Sequence, residues 1–251
     1  MNLTTIDEVI EQLNKIVIHS IQNNDRAGYF AALYKQVTIA VAKKIKEGYF
    51  DDNERMEKLD VVFANRYLDA YEKYYKKSEC SACWKLAFDT AKTWRPMVIH
   101  HLLAGMNAHI SLDLGIAAAT VSQGKPINDI QNDFNKINTI LKELTDNVKS
   151  DLFDMWPLSK FLTGLKTDKL ENEMAAFSMT IARDAAWQVA LNYSALTNDS
   201  DKEKFIAERD RKVTEFGKKI LYFKFWQSML ATIFRIFETG SISSKIAKLD
   251  N

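Results

Sequence analysis

The stretch MVIHHLLAGMNAHISLDLGIAAA, residues 97–119, decides the fold. It holds no Lys, Arg or Glu. Val98, Ile99, Leu102, Leu103, Met106, Ile110, Leu112, Leu114 and Ile116 put apolar groups on nearly every side of the helix it would form. A helix that is apolar all round lies at the centre of a bundle or crosses a membrane. His100, His101, His109, Asn107 and Asp113 favour the bundle, because each is costly in hydrocarbon.

The same polar residues are costly in a protein core unless they are paired. A buried Asp113 requires a compensating cation, an Arg, a His or a metal ion. His109 and Asp113 are four residues apart and share a face, about 6 Å apart along the axis. His101 lies on the same broad side, roughly 12 Å from His109 and roughly 18 Å from Asp113 along the axis. The three cannot ligate one ion. Gly105 lies midway between the two histidines, and its missing side chain leaves room for a ligand or a close helix crossing. His100 and Asn107 point elsewhere and belong to another network.

Working outward, helical signals recur along the chain. Thr5 with Glu8 forms a capping box before the stripe Ile6, Val9, Ile10, Leu13, Val17 and Ile21. A second helix runs from about Arg26 to Glu47 and stops at Gly48; a third spans roughly Asn53 to Lys76. A fourth runs from Ser81 toward Trp94, where Pro96 forces a boundary or a kink. After the central helix, Ile130, Phe134, Ile137, Leu141, Leu144 and Val148 make a packing stripe. Asp154 to Asp168 reads as a loop carrying a short helix. Helices over Leu170–Leu196 and Asp201–Phe237 complete the chain. The reading is all-α: one domain over residues 1–251, a bundle of about eight helices around a central apolar helix with buried polar residues.

Only 3 Pro and 8 Gly leave few breakers in 251 residues, in keeping with long helices. The net charge of +1 gives no global electrostatic case for nucleic acid. No basic start followed by an apolar run opens the chain, so neither a secretory leader nor a transmembrane segment is expected. Cys80 and Cys83 form a lone Cys-x-x-Cys with no second pair of soft ligands, and read as plain residues at a helix start. Reduced thiols and a cytoplasmic location follow. The C-terminal aromatics Phe216, Tyr222, Phe223, Phe225, Trp226, Phe234 and Phe237 read as core packing. A pocket lining and a membrane-surface helix are the alternatives.

Other helices offer partners for Asp113. The third places Leu59, Phe63, Arg66, Ala70 and Tyr74 on one stripe, so Arg66 falls among apolar neighbours and needs a carboxylate. Asp113 and Asp69 both qualify. Asp133 and Asn138, beside the packing stripe of the sixth helix, are candidates to turn inward. Arg183-Asp184 reads as a structural ion pair.

Several runs together resemble one family. They are Gly28–Tyr34, Phe50-Asp51-Asp52 with Arg55-Met56-Glu57, Phe63–Tyr67, His101–Gly115, Asp133-Phe134 with Ile137-Asn138, and Arg183 with Ala186-Trp187. Over about residues 25–195 the chain is similar to the bacterial domain-of-unknown-function family 5995. The resemblance implies no reaction. It implies that Asn65, Arg66, Tyr67, His101, Asn107, His109, Asp113, Asp133, Asn138 and Arg183 belong to the family pattern. Asn65, Tyr67, Asn107, Asn138 and Arg183 are then candidates to bind a substrate.

Three functions fit these features. The first is a metal-dependent hydrolase-type enzyme: a divalent ion held by His109 and Asp113 with Asp69 or Asp133, His101 as acid or base, and Arg66 as an anion clamp. The second is a metal-free binding protein for an apolar small molecule. The third is a structural or partner-binding helical domain. Oligomeric state leaves no mark in the sequence.

Overall fold

The computed structural model describes residues 2–154, 179–221, 235–236 and 238–251. Its helices are α1 (Ile6–Asn23), α2 (Ala27–Lys46), α3 (Asn53–Tyr75), α4 (Ala82–Ala91), α5 (Val98–Val121), α6 (Gln131–Asp154), α7 (Met179–Ser194), α8 (Asp199–Leu221) and α9 (Ile242–Leu249). No strand occurs among the described residues. The fold is all-α.

The helix ends follow local chemistry. Glu8 receives the Thr4 and Thr5 amides, and Thr5 receives the Glu8 amide at 3.2 Å, which closes the capping box of α1. Asn24 ends α1 in the left-handed conformation, and Gly48 does the same after α2, with φ of 51° and 69°. Pro96 is a boundary: α4 stops at Ala91 and α5 starts at Val98. The start of α4 is capped from a distance, since Asp210 on α8 accepts from the amides of Ala82 (2.7 Å) and Cys83 (2.9 Å). Cys80 and Cys83 are free thiols there, and burial raises the Cys83 thiol well above its ordinary value.

α5 is the centre. It packs against α2, α3, α4, α7 and α8. By length and composition it could cross a membrane, but 89% of its most apolar window is buried inside the protein. Val98, Leu102, Leu112 and Ile116 join an apolar core with α1–α4, and Ile99, Leu103, Ile110 and Leu114 join another with α6 and α7. Two close crossings depend on glycine. A Cβ on Gly105 would lie 2.5 Å from the Phe30 ring, and one on Gly115 would lie 2.5 Å from the Ala186 carbonyl oxygen.

Within α5, His109–Leu114 forms a π-helical turn. Periodicity does not reveal such a turn here, because a stretch that is apolar on nearly every side hides the shift of face that one extra residue brings. Arg209 of α8 donates to the Ser111 carbonyl inside it at 2.7 Å. The short helix α9 is also absent from the helices expected on sequence. Its Ser241 cap and buried Ile246 and Leu249 are the signal. Of the expected loop with a short helix (154–168) only Asp154 is described, as the end of α6; the rest of it, the start of the seventh helix and most of the C-terminal aromatics lie outside the described residues.

Asp133 is 1% exposed and ties two elements together. It accepts from the amides of Asp51 and Asp52, each at 2.8 Å, with Lys136 at 3.0 Å. It thus fastens the α2–α3 turn to the first turn of α6. Replacing it by Ala costs about 2 kcal/mol, and by Asn about 1 kcal/mol, since the amide keeps one acceptor. Urea midpoints at unchanged slope measure both; equal, near-zero costs would remove this role.

Candidate functional site

Asp113 finds its partners on α3 and α4. Its Oδ1 accepts from Arg66 Nε at 2.8 Å, and its Oδ2 accepts from Trp84 Nε1 at 2.8 Å. The carboxylate is 2% exposed, whereas the Arg66 side chain is 29% exposed and reaches toward solvent. Burial opposes ionisation, but the Arg66 charge, His109 and the Trp84 indole hold the carboxyl below its usual value. Trp84 was missed by the sequence reading. The signal was available, because a buried indole N–H needs an acceptor.

His109 sits beside this pair in a box of rings. Phe63 stacks on it with centroids 3.5 Å apart and planes within 9°. Tyr34 meets it edge-on at 4.3 Å, and Phe30, Trp84 and Tyr67 stand at 5.7, 5.9 and 6.1 Å. Its Nδ1 is 3.9 Å from Asp113 Oδ2, beyond hydrogen-bond length. Neither ring nitrogen has a hydrogen-bond partner, and the same holds for the buried hydroxyls of Tyr34 and Tyr67. Burial outweighs the nearby carboxylate and keeps the imidazole neutral. Asp60 of α3 is enclosed as well. Burial, then the Glu57 charge, raise its carboxyl to about 7, and its Oδ2 has no partner. Its charge and that of Asp113 both act on the Tyr34 hydroxyl.

His101 is separate. It faces the Tyr29 ring, with centroids 5.5 Å apart. The Pro96 carbonyl faces it, but neither nitrogen completes a hydrogen bond. Burial, Arg26 and His100 lower it to about 3. The space beside Gly105, expected to admit a ligand or a close crossing, is filled by Phe30. His100 accepts from the Met97 amide at 3.2 Å and so caps α5.

The other candidates have local duties. Asn65 exchanges hydrogen bonds with the Leu3 backbone at 3.0 and 2.9 Å. Asn107 donates to the Val213 carbonyl at 2.9 Å. Asp69 pairs with Lys73 at 2.8 Å on a half-exposed face. Asn138 has a buried oxygen without a partner. Arg183 donates to the Phe134 carbonyl and lies 4.4 Å over the Phe134 ring, and burial lowers it to about 9. Asp184, its expected ion partner, is exposed.

This geometry gives the metal reading no support. Asp69 is committed to Lys73, and Asp133 to the Asp51 and Asp52 amides. Among the described residues no three His, Cys, Asp or Glu side chains are grouped to hold an ion. Both Asp113 oxygens are already occupied, and a divalent ion there would meet the Arg66 guanidinium. What the arrangement offers instead is a neutral imidazole, able to accept or donate one hydrogen bond, inside an aromatic wall.

Stability should therefore fall in mild acid. Above the ordinary histidine value of 6.5 the imidazoles are neutral folded or unfolded. Below it the unfolded chain binds protons that folded His101 refuses until about 3, and folded His109 also titrates below 6.5. The histidine share of the unfolding free energy therefore declines as pH drops from 6.5, and Asp60, raised to about 7 in the fold, works the other way and offsets part of the decline. Urea titrations between pH 7.5 and 4.5 check it, and His101→Leu should flatten the decline. Equal slopes for the wild type and His101→Leu would contradict the burial of the His101 ring.

No curated protein and no solved structure matches the chain. One family model does, over residues 6–223, a span that takes in the Arg66–Asp113 pair, the rings around His109 and all of α1–α8. The chain belongs to the family of unknown function DUF5995.

Proposed function

We propose that the protein binds a small molecule at His109 without a metal ion, and that Phe63 and Arg66 form the way in. One observation carries this reading: polar atoms of His109, of Tyr34 and Tyr67, whose rings meet it, and of Asp60, whose charge acts on Tyr34, are buried without partners. Buried polar groups without partners are few in native proteins, and a cluster of them calls for an explanation. Ligand sites share this make-up of apolar walls with a few polar groups. The π-turn that carries His109 and Asp113 adds support, since such turns are frequent at functional sites. Phe63 and Arg66 are the half-buried members of the group, one turn apart on α3. The chemistry suits a flat, largely apolar molecule with one or two hydrogen-bonding groups.

Native mass spectrometry of protein purified without denaturant is the first test. An adduct at one per chain, absent from His109→Leu, is the expected result. Saturation-transfer NMR with a panel of phenols and aromatic amides is the second. His109→Leu should lose the hits while melting no lower than the wild type, because it removes two unpartnered polar atoms. No adduct and no His109-dependent signal would leave these rings as packing alone.

A further inference from the structure

The first turn of α5 carries a second group of residues that the His109 site does not use. Glu238 accepts from the Val98 amide at 2.9 Å. It also pairs with Lys245 Nζ and Arg235 Nη1, each at 2.9 Å. These side chains are 6%, 2% and 10% exposed. Arg26, at the start of α2, is the third cation, and its charge acts on Tyr29, His101 and Lys245. The carboxylate that acts on Tyr29 and Lys245 is Glu238. Among the described residues, three cations thus share one carboxylate.

Polar groups stand around this charge without partners. The Tyr29 hydroxyl, both His101 nitrogens and Arg26 Nε are buried and unbonded. Tyr29 and His101 are 1% and 5% exposed. The helix N-terminus is not itself the attraction, because the Met97 and Val98 amides are already taken by His100 and Glu238. Uncompensated positive charge in a core is unfavourable, and an anion accepting from these donors relieves it.

We infer that this cluster is a binding site for a small oxyanion, a carboxylate or a phosphate, held by Arg26, the Tyr29 hydroxyl and His101 within the field of Arg235 and Lys245. Phe30, packed over Gly105, lies between this site and His109, so the inference is independent of the proposed function. The low proton affinity of His101 accords with the role, since a neutral ring beside cations offers one N–H to an anion.

The test uses the full-length protein with inorganic phosphate and with acetate, against sodium chloride at equal ionic strength. Saturable movement of the His101 side-chain resonances, and a melting temperature that rises with anion concentration beyond the chloride control, are expected for at least one anion. The stronger of the two identifies the head group. Tyr29→Phe removes only a hydroxyl that has no protein partner, so it should melt no lower than wild type yet bind roughly tenfold more weakly, the loss of one hydrogen bond to a charged group. Arg26→Gln should abolish saturation. If neither anion gives a saturable response, or if both variants bind like the wild type, the cluster is a structural charge network and the inference fails.

Discussion

Replacing Arg66 by Leu should cost about 3–5 kcal/mol at pH 7, more than any change to its partner. The reason is an asymmetry of burial. Asp113 is 2% exposed, and without Arg66 its described hydrogen-bond donor is the neutral Trp84 indole. Arg66 is 29% exposed, so when Asp113→Asn removes the charge the guanidinium can turn to water. That variant should cost roughly 1–2 kcal/mol. The pH dependence has a definite sign. In the wild type the Asp113 carboxyl sits below its ordinary value of 3.8, so its stabilisation holds above that value and is lost as pH falls through the folded value. In Arg66→Leu burial acts without the guanidinium, and the carboxyl rises above the ordinary value. The deficit of the variant should therefore shrink between pH 7 and pH 5. The double variant Arg66→Leu/Asp113→Leu should recover most of the loss, as buried ion pairs replaced by apolar groups often do. Urea unfolding of the four proteins at two pH values measures all of this. Equal costs for Arg66→Leu and Asp113→Asn would overturn the account.

Gly115→Val should cost about 3 kcal/mol, at the upper end for small-to-large changes in a core. A Cβ at this position meets the Ala186 carbonyl oxygen at 2.5 Å and the Val189 side chain at 2.8 Å. The first of these is backbone, so relief requires α5 and α7 to move apart. The gain in helix propensity over Gly, about 1 kcal/mol at most, does not offset that. Gly115→Ala should fall between the two. Thermal unfolding orders the series, and an alanine variant more stable than wild type would show that the crossing has slack.

Much of the architecture was legible because it depends on local periodicity. Residues 97–119 are apolar on every side, and such a helix has to be surrounded; α2, α3, α4, α7 and α8 surround it. The capping box at Thr5 and the break at Pro96 also rest on nearest-neighbour chemistry. α9 escaped because eight residues give too short a stripe to stand out. The described π-turn escaped because hydrophobic pattern does not report hydrogen-bond register.

The site divides along the same line. By itself the sequence determined that Asp113 is buried on a central helix and must have a partner, and that His101 and His109 are too far apart to share an ion. Both follow from composition and rise per residue. Only the tertiary structure decided which partner it was. Arg66 was among the candidates, but the choice between it, Asp69, Asp133 and a metal depends on how α3, α4 and α6 are placed around α5. Asp133, one candidate to turn inward, does so toward the Asp51 and Asp52 amides. The ring box around His109, the Trp84 donor and the filling of Gly105 by Phe30 are likewise contacts between residues distant in the chain. The buried aspartate on the central helix was a demand written in the sequence, and the packing of α3 and α4 against α5 is what answers it.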